Sequence, residues 1–257
     1  MLSVNAIAAW GISHQWAGAD QVEHDLLLSR AICAIAGDSY LGDQLLFRGG
    51  TALHKLHLPR ALRYSEDLDY VRTTPGGIKP ITEALFDLGR SLGFHVSSRI
   101  SEHPKVSWRA TSQAGNPLRI KVEVNTHERS PAMDPIRLPY KVDSPWWTGA
   151  VDVPTFQLPE MIATKIRALY QRSKGRDLFD MWLALTMTSM ESDDVLVAFD
   201  RYRPARYTAG AAIKNLEAKL TDPDFRNDLD QLVVRTPGPY DVDSAANLIV
   251  TLLLSRL

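Results

Sequence analysis

The sequence predicts an α+β protein in which a mixed domain of strands and helices precedes a helical one. Three observations predict it. Short apolar or alternating runs broken by glycine crowd the first 130 residues, and Pro131, Pro135, Pro139, Pro145 and Pro154 then stand close together between Glu128 and Phe156. From Gln157 onward, nearly every segment spaces its apolar residues at helical intervals. The expected division is therefore a nucleus of strands and helices over 1–156, with a proline-rich connector at about 128–156, and a helical domain over 157–257.

Taken in order, DQVEHDLLLSRAICAIA at 20–36 has helical spacing, and LLFR at 45–48 is a short apolar run stopped by Gly49-Gly50, as a strand entering a turn would be. TALHKLHL reads as a short helix and SEDLDYVR alternates like a strand. IKPITEALFDLGRSLG is helical in period, which obliges Pro80 to lie in the first turn. FHVSSRI, KVSWRATS and LRIKVEVN are strand candidates, the last two separated by the turn-rich QAGNP. Strands and helices in this mixed order do not form a regular βαβ repeat. After the connector, LPEMIATKIRALYQR, RDLFDMWLALTM, DDVLVAFDRY, TAGAAIKNLEAKL and VDSAANLIVTLLLSRL read as helices.

Composition narrows the function. The chain has 257 residues, 45% hydrophobic and 23% charged, in the ordinary globular range. Its longest apolar runs, such as LIVTLLL, fall far short of the roughly 18 residues that span a bilayer, and no basic n-region opens the chain, so a cytoplasmic protein without membrane contact is expected. The single cysteine, Cys33, sits in apolar AICAIAG, where it reads as a buried thiol. A net charge of −1 supplies no global attraction to a polyanion, so any nucleic-acid partner must be held by a local patch. Lys165, Arg167, Arg172, Lys174 and Arg176 form such a cluster. The histidines, including His54, His57, His95, His103 and His127, show no zinc-type spacing.

The chemistry concentrates in two neighbouring segments. SEDLDYV places Asp67 and Asp69 two residues apart, so on a strand both carboxylates project from one face. Paired hard oxygen ligands suit Mg²⁺ or Mn²⁺. Ahead of them, FRGGTALHK offers glycines that let the backbone approach a bound group, and Thr51 to cap the following helix and meet a phosphate. Alone, the Asp pair reads more readily as a surface pair and the glycines as a strand-to-helix turn without ligand; together they describe phosphates resting on a glycine turn and bridged by metal to two carboxylates. In LRIKVEVN, Glu123 alternates onto a polar face beside Lys121 and is the candidate third carboxylate, or else part of a solvated strand face.

FRGGTALHK, RYSEDLDY and the later LPEMIATKIRALYQRSKGRDLFD resemble the AbiEii/AbiGii-type toxins of the polymerase-β-like nucleotidyltransferases (MenT-like), over residues 45–72 and 157–181. The resemblance implies a bilobed α+β nucleotidyltransferase fold with a nucleotide held between the lobes. It also implies a Mg²⁺-dependent enzyme moving a nucleoside monophosphate from an NTP to an RNA acceptor, notably the tRNA 3′ end. Translation would stop, and an antitoxin would be the cognate partner. Position by position, Asp67, Asp69, Lys165 and Asp177 become catalytic residues. Gly49, Gly50, Thr51, Lys55, Lys174 and Arg176 become nucleotide contacts, and Asp67, Asp69 and Glu123 metal ligands.

Residue by residue, Leu158, Ile162, Ile166 and Leu169 make an apolar stripe that leaves Lys165 able to project toward a phosphate. Arg172, Lys174 and Arg176 surround Gly175 at a helix–helix turn, as phosphate contacts or as complements to a helix dipole. Asp177 either caps the next helix or orients Arg176 or Lys165, with Asp180 sharing that role or lying on the surface. Trp146-Trp147 reads as a base-stacking platform or as an anchor for the connector. Two other functions remain open: nucleotide transfer to a protein side chain, and a non-catalytic RNA- or protein-binding module of the same fold.

Overall fold

The computed structural model describes residues 2–99, 104–233 and 238–257, so Ile100 of the third strand candidate and His103 lie outside the described residues. The chain divides into two compact units, Met1–Ser130 with Pro135–Phe156, and Pro131–Asp134 with Gln157–Leu257.

The first unit is a seven-stranded mixed sheet with helices. Its elements are α1 (Val4–Ser13), α2 (Ala19–Gly37), α3 (Leu41–Gln44), β1 (Leu45–Arg48), α4 (Gly49–Ala52), β2 (Asp67–Arg72), α5 (Lys79–Ser91), β3 (His95–Arg99), β4 (Lys105–Thr111), β5 (Pro117–Asn125), β6 (Ile136–Asp143) and β7 (Thr148–Thr155). The strand order is β3-β4-β5-β2-β1-β7-β6. β2 runs antiparallel to β1 and parallel to β5, and β1 is parallel to β7.

Alternation sorts the side chains. Leu68, Tyr70, Val106, Trp108, Ile120, Val122 and Val124 are all buried and share one face through their cross-strand register. α2 and α5 cover that face: Tyr70 neighbours Cys33 of α2, and the Trp108 indole N–H donates to the Leu85 carbonyl of α5 at 3.1 Å. A Cβ on Gly89 would lie 2.5 Å from Trp108 Nε1, so this glycine permits the contact. Asp67, Asp69, Lys121 and Glu123 alternate to the opposite face.

Two expectations change here. The proline-rich segment expected as a connector supplies β6 and β7, which extend the sheet beyond β1. Pro139 is accommodated because β6 is an edge strand, where a missing N–H can face away from the ladder. The short helix expected from Thr51 begins at Gly49 and widens at Leu53–His57 into a π-helical turn.

The second unit is helical: α6 (Leu158–Gln171), α7 (Gly175–Met187), α8 (Ser192–Phe199), α9 (Ala209–Leu220), α10 (Pro223–Arg226) and α11 (Val242–Leu252). Pro131–Asp134 belongs to it because Glu160, buried in α6, accepts the backbone N–H groups of Ala132 and Met133 at 2.6 and 3.2 Å. Among the described residues, no helix is long and apolar enough to cross a membrane.

Candidate active site

In the sheet unit, the acidic group is set by strand register. Asp67 pairs with Lys121 and Asp69 with Glu123 across the parallel β2–β5 ladder, while Asp69 stands opposite Arg48 across the antiparallel β1–β2 ladder. Paired residues share a face, so Asp67, Asp69 and Glu123 lie on one side with Arg48 and Lys121 among them. Lys121 Nζ is 3.3 Å from Asp67 Oδ2 and also pairs with Glu123. Lys105 Nζ is 3.2 Å from Glu123 Oε1. Partial burial opposes the charged form of Glu123, yet the hydrogen bonds and charges of Lys121 and Lys105 outweigh it and hold the carboxyl below its usual range. Burial likewise opposes the charge on Lys121, and Glu123 with Asp67 outweighs it, raising the ammonium pKa. A cavity of about 150 Å³ opens on this face, lined in part by Arg48, Asp69, Glu123 and Asn125.

The glycine turn sits directly against the carboxylates. Gly49 has φ +82°, in the left-handed region, and a Cβ there would lie 3.0 Å from Asp69 Cβ and closer still to its carboxylate. Gly50 carries Arg63 on its other neighbour surface, with the guanidinium carbon 3.1 Å from where a Cβ would be. Thr51 departs from its expected role. It is the third residue of α4 and not the cap, and its buried hydroxyl donates to the Asp67 carbonyl at 2.6 Å and hydrogen-bonds Ser65 at 2.8 Å. Thr51 therefore fixes the start of β2 to the turn. Lys55 departs too. Its ammonium reaches α2, at 2.6 Å from Asp25 Oδ1 and 3.1 Å from Ser29 Oγ, because buried Asp25 requires a cation.

In the helical unit, Lys165 and Asp177 do meet. The apolar stripe suggested that Lys165 projects outward; instead its side chain is only 6% exposed, with Nζ 3.1 Å from Asp177 Oδ1 and 2.7 Å from Asp180 Oδ2. Asp177 also takes two hydrogen bonds from Arg172, at 2.7 and 2.9 Å. Full burial pushes the Asp177 carboxyl up, but Lys165 and Arg172 together prevail and lower it. Asp180 is buried, not surface. Asp177 neither caps α7, whose N-cap is Lys174, nor holds Arg176. Arg176 and Lys174 converge on Asp228, at 3.6 and 3.5 Å, and Asp228 accepts the Arg176 backbone N–H at 3.1 Å. A Cβ on Gly175 would lie 3.3 Å from the Phe225 carbonyl carbon, which explains the glycine at that turn.

Trp146 and Trp147 lie beside α2 in the sheet unit, with the Arg30 guanidinium 4.9 and 5.9 Å from their ring centres. This is the anchoring geometry.

A family model for the AbiEii nucleotidyl transferase toxins of type IV toxin–antitoxin systems matches residues 30–247. The chain belongs to the AbiEii nucleotidyltransferase toxin family. Among solved structures, MenT4, a nucleotidyltransferase toxin from Mycobacterium tuberculosis H37Rv, resembles this AbiEii chain with a TM-score of 0.74 at 19% identity. The match covers 100% of this chain and 91% of MenT4, and at that identity it shows a shared fold. An antigenic nucleotidyltransferase-like protein from Paracoccidioides brasiliensis aligns over 80% of this chain and 93% of its own, at 17% identity and a TM-score of 0.48. A search by sequence among curated proteins finds no match.

Several groups of the AbiEii chain gave little or no sequence signal. Arg63 and Arg48 meet the site only through folding, and Lys105 reaches Glu123 through the β4–β5 register. The residues two apart in RYSEDLD and KVE were the one available clue, since alternation places them together.

Proposed function

We propose that this AbiEii-family protein transfers a nucleoside monophosphate from an NTP to an RNA acceptor, the tRNA 3′ end, and so arrests translation. What carries the reading is the placement of Asp67, Asp69 and Glu123 on one sheet face directly beside the Gly49 turn. In the reaction, the acceptor hydroxyl oxygen bonds to the α-phosphorus, the α–β phosphoanhydride bond breaks, and pyrophosphate and the hydroxyl proton depart. Gly49 and Gly50 let the phosphates approach the backbone closely enough for its N–H groups to receive them. Thr51 keeps Asp67 in place through its carbonyl.

The donor set fits a hard divalent cation. Among the described residues, no three His, Cys, Asp or Glu side chains are gathered to hold an ion by themselves. Mg²⁺ is ordinarily held by one or two carboxylates with substrate phosphates completing its shell, which Asp67 and Asp69 can supply with Glu123 as a third. Lys121 meanwhile offsets the repulsion between Asp67 and Glu123. A bound Mg²⁺ would offset charge developing on the phosphates. Lys165, enclosed by Asp177 and Asp180, acts in this account as a positioning residue.

Expression in a bacterial host tests the reading. Growth arrest that disappears in Asp67→Ala, with folding unchanged by circular dichroism, is expected; arrest that persists in that variant would overturn the enzymatic account.

A further inference from the structure

Arg48 is the last residue of β1, one position before the glycine turn. Register sets it opposite Asp69, and Asp69 opposite Glu123, so a cation and two carboxylates form a row across three strands. All three line the cavity on that face. Arg48 Nη1 donates to Glu128 Oε2 at 2.6 Å.

That partner is itself fixed. Asn125 Nδ2 donates to the same Glu128 oxygen at 3.0 Å, while Asn125 Oδ1 accepts the backbone N–H groups of His127 and Glu128 at 2.8 and 3.0 Å. A turn beyond β5 thus presents a pre-set carboxylate that grips one edge of the Arg48 fork. Five donors in a planar fork suit phosphate oxygens, and one edge contact leaves the fork's remaining geometry directed by its anchor. The Arg48 side chain is 16% exposed, enough to meet a ligand in the cavity but not to sweep through solvent.

We infer that Arg48 binds the pyrophosphate half of the nucleoside triphosphate and that Glu128, steadied by Asn125, is its positioning residue. The inference rests on the nucleotidyl-transfer reading and deepens it. The pyrophosphate half is the ligand because it carries the charge of the leaving group, whereas base and ribose need no guanidinium. Glu128 holds the Arg48 side chain by one nitrogen of its fork.

The test uses the full chain. Pyrophosphate binding is measured by calorimetry with Mg²⁺ present, and KM is measured separately for NTP and RNA, in wild type, Arg48→Met, Arg48→Lys and Glu128→Gln. Arg48→Met is expected to weaken pyrophosphate binding and raise the NTP KM by about tenfold or more, with the RNA KM unmoved. Arg48→Lys should recover part of the loss, and Glu128→Gln should raise the NTP KM to a smaller degree. Unchanged pyrophosphate binding in Arg48→Met, or a shift confined to the RNA KM, would overturn the inference. So would a wild type that binds no pyrophosphate. If Arg48→Met does not fold, Arg48→Lys decides by the same measurements. Wild type that binds pyrophosphate through Arg48 yet labels no acceptor would sink the proposed reaction and leave this assignment standing.

Discussion

Gly49 and Asp69 occupy positions that exclude a side chain on the former: a Cβ there would lie 3.0 Å from Asp69 Cβ, and the φ of +82° already favours glycine. The turn and the carboxylate strand are therefore fitted to each other at atomic contact. Gly49→Ala must either tilt the turn or push Asp69 out of its row. Its stability cost is modest, about 1–2 kcal/mol for the left-handed backbone, but a displacement near 1 Å is worth about a hundredfold in rate. Initial-rate and denaturant measurements on the same preparation should show this split; full activity in Gly49→Ala would contradict it.

Thr51 carries a second link between turn and strand. Thr51→Val keeps the shape and removes the hydroxyl that satisfies the Asp67 carbonyl. A stability loss of about 1–3 kcal/mol is expected, as for a buried acceptor left unpaired. Thr51→Ser should restore it, and chemical denaturation compares the three.

Lys165 stands between two fully buried carboxylates, Asp177 and Asp180. Lys165→Met removes the buried cation that Asp177 and Asp180 share, at a cost of about 3–5 kcal/mol. Adding Asp180→Leu should recover part of that loss, since one buried charge is then gone. Denaturation midpoints of the single and double variants check the expectation; equal stability of Lys165→Met and wild type would place the lysine outside the network.

His57 predicts an acid limb. Its Nε2 is buried without a hydrogen-bond partner, and burial lowers its pKa from 6.5 to about 4. Above 6.5 neither the native nor the unfolded form is protonated and the full contribution is present. As the pH falls from 6.5 to about 4, the unfolded chain takes up the proton first, so stability declines across that window and levels below it. His14, lowered likewise to about 4, adds to the same limb. His57→Leu should flatten part of the dependence of the melting temperature on pH. Asp177 acts lower: its depressed pKa gives stability that is present above 3.8 and lost as the pH falls through its native value.

Local pattern made the carboxylate face legible, because a strand's period of two fixes Asp67 with Asp69, and Lys121 with Glu123, without any knowledge of the fold. The helices of 157–257 were legible for the same kind of reason. β6 and β7 were not, since five prolines weigh against regular structure, and the edge position that accommodates Pro139 in β6 exists only in the assembled sheet. For Lys55, carried over as a nucleotide contact, and Lys165, read as projecting toward a phosphate, the sequence carried no sign of the buried acids, Asp25 in one case and Asp177 with Asp180 in the other, that packing brings to them. Arg48 had no local signal at all: its relation to Asp69 and Glu128 exists only in the register of β1 on β2 and the turn after β5.

The most direct test of the central claim is incubation of purified protein with Mg²⁺, each α-³²P-labelled NTP in turn and total bacterial RNA, comparing wild type with Asp69→Asn on a denaturing gel. The account predicts label in a tRNA band with wild type and none with Asp69→Asn. Label in a protein band alone, or no label with any nucleotide, would contradict it.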